Sequence, residues 1–476
     1  MNPILIAILA YLAATLLVSR LAARRANTGQ EFSRSHFLGG QFMGGGILAL
    51  SLVATYTSAS SYIGGPGAAY KFGLGWVLLA VIQVPVALLT LGVLGPRLWH
   101  LARETGAVTI LDILRNRYQN RWLLWLSGAS LVAGFLGMIV VQFTSGARLL
   151  SVVAEIPYTT SLLLFVSTVV IYTLWGGFRA VSYTDAIQGL VMLVGMFALL
   201  IGVLGQGGGM TNLTEQMAQI DPGLIAPHGP DGFISWPFLF SFWVLVCFGT
   251  IGLPHTVIRV MAARDGQAIA RAMVLGTLVT ALVTLMPHLA GALGRPLVPE
   301  LSSPDEIIPT LMVQLFPAWM AGLMLAAPVA AVMSSVDSML LQTTSTLVRD
   351  LAMQGRSLTQ TQMKWLTRLT TFGVALACTL MALDPPQMII WLNMAAFGAL
   401  QVVFLWPLVL GLFWKQAKGE AALAAMVAGL ATYLPLTFLK IKLLTLHAIV
   451  PALVISLLAF VLAQGVVGRL KLSSKG

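Results

Sequence analysis

Residues 44–67 read GGGILALSLVATYTSASSYIGGPG, an apolar stretch whose middle is polar and whose end breaks a helix. Seven hydroxyl-bearing side chains fall between Thr55 and Tyr62, and the sequence GGPG follows at residues 64–67. An isolated hydroxyl in an apolar helix bonds back to a carbonyl one turn earlier or serves as a small packing residue. A run this dense, followed by glycines and a proline, favours an unwound segment that lines a site.

The composition around this stretch is that of a membrane protein. Of 476 residues, 58% are hydrophobic and only 9% are charged, against about a quarter charged in a soluble domain. This excludes a cytosolic enzyme, a secreted domain and a disordered chain, and it predicts an all-α polytopic membrane protein. The net charge of +11 does not indicate a nucleic-acid partner, because the basic residues lie scattered in short gaps between apolar runs.

About thirteen transmembrane helices are predicted, since a helix needs about 20 mostly apolar residues to cross the bilayer core. They form one membrane domain over residues 1–476, and no gap between them holds a soluble domain. The predicted spans 1 to 13 are residues 3–22, 43–68, 74–95, 122–147, 158–177, 184–205, 234–254, 271–293, 317–347, 367–383, 387–413, 420–439 and 446–465.

The basic residues predict the orientation of these spans. Alternate loops, beginning with the one after span 1, together with the span ends that adjoin them and the C-terminal tail, hold 22 of the 27 Lys and Arg residues, and the opposite side holds five. Because cytoplasmic loops are rich in Lys and Arg, we expect the N-terminus outside and the C-terminus in the cytoplasm. The expected location is a bacterial inner membrane, with span 1 retained rather than cleaved as a signal peptide.

Two further spans interrupt the apolar pattern. Span 7 carries Gly249, Gly252 and Pro254 late in its length, which indicates either a break or a simple proline kink. Span 9 carries hydroxyls and Asp337, the one acid that the predicted boundaries place well inside a span. An intramembrane acid is a functional-site hypothesis by default, and the alternative is an acid buried for packing alone.

Spans 2 and 7 lie five spans apart, so units beginning at these spans enter the membrane from opposite sides. Interrupted helices in corresponding places of two inverted units indicate a secondary transporter with its site near the midplane. We therefore expect an inverted five-plus-five core of residues 43–205 and 234–413 with discontinuous first helices. Residues 3–22 and 420–465 would form the peripheral helices.

Three groups of residues carry a family pattern in the expected order and topological places. Together they resemble the sodium–solute symporter family over nearly the whole chain. The groups are Phe37-Leu38-Gly39-Gly40, Trp175-Gly176-Gly177-Phe178 with Tyr183-Thr184-Asp185, and Ala330-Ala331-Val332-Met333-Ser334-Ser335.

The resemblance implies a sodium site between spans 2 and 9, with Na⁺ as coupling ion and no organic cofactor. Its ligands would be the carbonyls of Ala54, Thr57 and Ala331 and the hydroxyls of Ser334 and Ser335. Sodium is a hard cation that takes oxygen ligands, and carbonyls at a helix break need a partner in any case. Proline-transporting members carry an acid where this chain has Tyr56, so either the site lacks that charge or Asp337 supplies it.

The stretch 229–237 looks like the branch of this family that carries pantothenate. This implies import of a small organic anion, pantothenate first, with Asp337 in coupling and the lipid bilayer as the only other partner. No Lys or Arg is predicted at mid-membrane, so a helix N-terminus at a break is expected to meet the carboxylate. The expected substrate contacts are Tyr56, Ser60, Ser61, Thr250 and Asn393.

Several alternatives remain open at this point. A proton-coupled carrier would use Asp337 as the titrating group, and a sodium symporter could carry proline, a monocarboxylate or a sugar. A channel should show polar stripes along several helices, whereas the polar clusters here are confined to a few breaks. An intramembrane enzyme would need paired acids or a His-Glu motif. His288 has no acid nearby in sequence, and we expect it to be a packed core residue.

Overall fold

The computed structural model describes residues 3–24, 32–352, 358–384 and 389–473. Within these ranges the regular structure is helical, and the only β pairings are two isolated bridges. Helices in the regions of the predicted spans are Pro3–Arg24; Gly45–Tyr56, Ser60–Gly64 and Gly65–Phe72; Leu74–Val81, Val86–Leu89, Thr90–Leu94 and Gly95–Thr105; Arg121–Ala154; Tyr158–Gln206; Trp236–Trp243, Val244–Phe248, Gly249–Gly252 and Pro254–Met261; Gly266–Leu293; Ala318–Met324, Ala326–Ser345 and Thr346–Ala352; Gln360–Met381; Ile389–Phe413; Gly419–Phe438; and Ile449–Ser473. Shorter helices between them are Phe32–Leu38, Ile110–Tyr118, Met210–Ile220, Pro222–Ile225, Pro230–Gly232, Pro304–Glu306 and Ile307–Leu315.

Spans 2 and 7 are both broken. The helix of span 2 ends at Tyr56, resumes at Ser60 and changes direction by 71°. Span 7 has an extended residue at Leu253 and a new helix from Pro254, which suits the first turn because proline needs no backbone hydrogen bond there. The simple proline kink is therefore not what the structure shows for span 7.

The start of span 2 contacts the end of span 7. The Met43 amide donates to the Ala262 carbonyl at 3.1 Å, and the Arg264 amide donates to the Met43 carbonyl at 2.9 Å. These bonds join the residues just before the helix of span 2 to those just after the helix of span 7.

Spans 5 and 6 are two helices within the segment Tyr158–Gln206, and a sharp kink at Gly177 joins them without a loop. Its 49 residues would reach about 74 Å at 1.5 Å per residue, more than twice the bilayer core. Gly177 has φ 56° and ψ −162°, a conformation that is essentially restricted to glycine. The bend therefore lets this segment contain both predicted crossings.

The number of crossings stays a prediction. Among the described residues, ten helices are long and apolar enough to span a membrane, or eleven with the bent pair of span 2. That count takes Tyr158–Gln206 as one helix and does not include Gln360–Met381, the predicted span 10. Span 9 is the most enclosed element, since every residue from Ala326 to Ser345 is buried.

Candidate functional site

The five oxygen-bearing residues predicted for sodium lie together where the break of span 2 meets span 9. The Ser334 hydroxyl donates to the Ala54 carbonyl at 2.8 Å. The Ser335 hydroxyl lies 3.1 Å from the Thr57 carbonyl. Both hydroxyls are also 3.2 Å from the Ala331 carbonyl. All five predicted groups are thus within reach of one point.

The break explains why these oxygens are available. The last carbonyls of a helix have no partner within the helix, and the helix of span 2 ends just after Ala54 and Thr55. Their carbonyls are met by side-chain hydroxyls from span 9, including Ser335 at 3.2 Å from Thr55. A cluster of buried neutral oxygens from two helices fits a hard monovalent cation that must be bound and then released.

A second feature is a small cavity beside the same break, with a volume of about 40 Å³. All five predicted substrate residues line it: Tyr56, Ser60, Ser61, Thr250 and Asn393. The other lining residues were not predicted: Gly65, Trp76, Gln83, Phe242, Leu245, Val246, His288, Met394 and Phe397.

Hydrogen bonds across this cavity join the broken spans to their neighbours. The Tyr56 hydroxyl lies 2.7 Å from the Val246 carbonyl of span 7 and 3.1 Å from Gln83 Oε1 of span 3. Asn393 Nδ2 of span 11 donates to the Ser60 hydroxyl at 3.1 Å. Asn393 Oδ1 is buried and has no hydrogen-bond partner. A solute in the cavity can therefore be recognised by groups from four spans.

Asp337 does not face the cavity. Its Oδ2 accepts from the Tyr172 hydroxyl at 2.9 Å, and its Oδ1 accepts from the Ser338 hydroxyl at 3.0 Å. Tyr56 instead bonds to Gln83 and Val246. The possibility that Asp337 supplies a charge beside Tyr56 is not what the structure shows.

An ion pair that the sequence did not predict is buried inside the bundle. Arg259 and Asp185 are fully buried and joined by a 2.6 Å ion pair between spans 7 and 6. Arg259 also bonds to the hydroxyls of Ser51 and Ser338 at 2.9 and 2.6 Å. Asp337 is therefore not the only acid inside the bundle. The pair was missed because Asp185 and Arg259 lie at or beyond the ends of predicted spans.

The helix N-terminus at the break of span 2 is already supplied with acceptors. The Ala59 amide donates to Gln142 Oε1 at 3.0 Å. The Ser60 amide lies 3.3 Å from Ser58 Oγ, and the Ser61 amide donates to the Ser58 carbonyl at 2.9 Å. A carboxylate that used these amides would have to replace internal partners.

Comparison with known proteins shows the family of this chain. Residues 36–429 match the sodium:solute symporter family. The chain belongs to this family. The sodium/pantothenate symporter of Escherichia coli (strain K12) is 49% identical over 464 residues, which cover 97% of this chain and 96% of that protein. The sodium/pantothenate symporter of Haemophilus influenzae (strain ATCC 51907 / DSM 11121 / KW20 / Rd) is 47% identical and covers 91% of this chain and 90% of its own length.

A solved structure shares the fold of this chain. A Na⁺-coupled sialic acid symporter in a substrate-bound outward-open state superposes with a TM-score of 0.82 at 20% identity. The match covers 99% of this chain and 98% of that one. The all-α transporter fold is thereby confirmed, and the family is one of multi-pass membrane transporters, which removes the intramembrane enzyme as an alternative.

Proposed function

We propose that this chain is a sodium-coupled importer of pantothenate that works by alternating access. The observation that carries the proposal is the shared break of span 2. Ala54 and Thr57 of this segment offer carbonyls to an ion, and Tyr56 and Ser60 of the same segment line the cavity. The substrate class comes from the two relatives that are sodium/pantothenate symporters.

Coupling follows from this placement. Sodium bound by Ser334, Ser335 and the carbonyls of span 2 holds spans 2 and 9 together and fixes the unwound segment. The fixed segment presents Tyr56 and Ser60 to the solute, so that sodium raises the affinity for solute. Reciprocity then requires the solute to raise the affinity for sodium by the same factor.

The membrane arrangement is part of the same proposal. Residues 43–205 and 234–413 form two inverted units in an inner membrane, with the N-terminus outside and the C-terminus in the cytoplasm. The contact between the start of span 2 and the end of span 7 supports opposite entry of the two units. Single cysteines at Asn212 and Gln362 test it in intact cells, because an impermeant maleimide should label the first and not the second. Labelling of position 362 from outside would contradict this orientation.

Uptake into proteoliposomes tests the function. Radiolabelled pantothenate should accumulate under an inward sodium gradient and not under an equal potassium gradient. Unlabelled pantothenate should compete, whereas proline, sugars, biotin and short monocarboxylates should not. Accumulation driven by a pH gradient without sodium would favour the proton-coupled alternative, and preferred uptake of a competitor would replace the substrate.

A further inference from the structure

His288 lines the cavity and offers a hydrogen-bonding group that no described residue uses. Its Nδ1 lies 2.6 Å from the Thr284 carbonyl, one turn earlier in the helix Gly266–Leu293. A carbonyl only accepts, so Nδ1 carries the hydrogen and Nε2 is left as an acceptor. His288 is buried, as expected of a packed core residue, and it lines the cavity as well.

Gly65 gives the imidazole its place in the cavity. A Cβ atom on Gly65 would lie 2.3 Å from His288 Nε2, which is closer than any two such atoms can approach. Gly65 and His288 both line the cavity. The missing side chain lets the tip of the ring reach the part of span 2 that follows its break.

The surroundings favour a neutral imidazole. His288 is 2% exposed, and the lining residues of the cavity include no Asp, Glu, Lys or Arg. Charging a buried group without a counter-charge is costly. A neutral ring with hydrogen on Nδ1 can bond to a solute through Nε2 only if the solute donates. The unpartnered Oδ1 of Asn393 is a second buried acceptor in the same cavity.

We propose that His288 is a specificity-determining residue whose Nε2 accepts a hydrogen bond from a hydroxyl group of the transported solute. This rests on the proposed function, since pantothenate carries hydroxyl groups on its acyl portion. A solute without hydroxyls leaves Nε2 without a donor on the solute. Sites built to bond a hydroxyl reject analogues that lack it far more strongly than they reject a change of size.

Inhibition of sodium-driven uptake of radiolabelled pantothenate tests the proposal. The inhibitors are unlabelled pantothenate, pantothenol, in which an alcohol replaces the carboxylate, and the dideoxy analogue, in which hydrogen replaces the acyl hydroxyls. The variants are His288→Phe, which keeps a ring without an acceptor, and His288→Gln, which keeps an acceptor. His447→Phe is the control, because His447 does not line the cavity.

His288→Phe should weaken pantothenate and pantothenol equally, by roughly 3- to 10-fold, the effect of one neutral hydrogen bond. The same substitution should leave the dideoxy analogue unchanged. His288→Gln should fall between Phe and wild type, and His447→Phe should match wild type. Loss confined to pantothenate would mean that His288 meets the carboxylate, and equal loss for all three inhibitors would mean that it reads no hydroxyl. Either result overturns the proposal.

The wild-type protein supplies a test that no folding defect can obscure. It should bind the dideoxy analogue much more weakly than pantothenate, and equal inhibition by the two overturns the proposal even if neither variant is recovered. Absence of sodium-driven pantothenate uptake in the wild type would instead contradict the proposed function. The two failures are therefore distinguishable.

Discussion

At the scale of single residues, Ser334 and Ser335 are the groups on which the proposed ion site depends. Replacing both by alanine removes the two hydroxyl ligands of the proposed sodium ion and leaves only the buried carbonyls. At about 0.5–1.5 kcal/mol for each group, the sodium concentration for half-maximal uptake should rise roughly 5- to 150-fold. Ser345→Ala is the matched control, because Ser345 is buried in the same helix and bonds only to its own turn. Unchanged sodium dependence in the double variant would remove the site.

Asp337 gives a second prediction at this scale. Its carboxylate accepts from Tyr172 and Ser338 just beside the ion site. Asp337→Asn replaces one accepting oxygen by an NH₂ group, which faces a hydroxyl donor. Such a buried mismatch costs about 1–3 kcal/mol. If this cost falls on the transport step, the initial uptake rate should fall roughly tenfold. Tyr172→Phe removes one donor and keeps the carboxylate charge. Comparing the two variants therefore separates the effect of the hydrogen bond from the effect of the charge. Wild-type uptake by Asp337→Asn would leave Asp337 a structural role.

The sequence could draw attention to the region of the proposed ion site because hydroxyl side chains lie well inside apolar runs there, and the resemblance to the family then supplied the ligands. Ser334, Ser335 and the hydroxyls after Thr55 stand out against their neighbours. His288 did not, because its role depends on Gly65 and on a cavity formed by distant spans. Such tertiary neighbours leave no local signal in either stretch.

At the scale of elements, the buried pair Arg259–Asp185 joins spans 2, 6, 7 and 9. Removing one partner leaves an uncompensated buried charge and should destabilise the protein by about 3–5 kcal/mol. We expect Arg259→Met and Asp185→Asn each to lower the unfolding temperature in detergent strongly. The double variant should lose much less than the two single losses combined. Additive losses would show that the two charges do not stabilise each other.

The Arg259–Asp185 pair was not predicted because the sequence does not show where the helices of spans 6 and 7 begin and end. Span 7 was predicted to end at residue 254, where Pro254 in fact begins a new helix that carries Arg259 into the bundle. Asp185 was placed at the first turn of span 6, whereas the helix after the kink at Gly177 begins earlier and has Asp185 about two turns inside it. Proline and glycine mark both the end and the restart of a helix, and sequence alone does not separate these cases.

The bend at Gly177 is the other element-scale feature that can be tested. A Cβ atom there would lie 2.6 Å from His36 Nδ1 and 2.7 Å from the His36 carbonyl. Together with the glycine-only backbone, this should make Gly177→Ala destabilising by about 1–3 kcal/mol. Gly373→Ala is the control, because no atom lies within 4 Å of its added Cβ and alanine favours a helix interior. Equal unfolding temperatures for the two variants would contradict this role of Gly177.

At the scale of the whole molecule, the start of span 2 meets the end of span 7, and the proposed ion region and the cavity both lie against the break of span 2. Because this break forms part of both regions, we expect that ordering one region affects the other.

Equilibrium binding to the purified protein tests this shared break most directly. Pantothenate affinity should be measured in sodium and in choline at equal ionic strength, and sodium affinity with and without pantothenate. Sodium should tighten pantothenate binding, pantothenate should tighten sodium binding by the same factor, and Ser334→Ala with Ser335→Ala should abolish both effects. Equal pantothenate affinity in sodium and in choline would contradict the account.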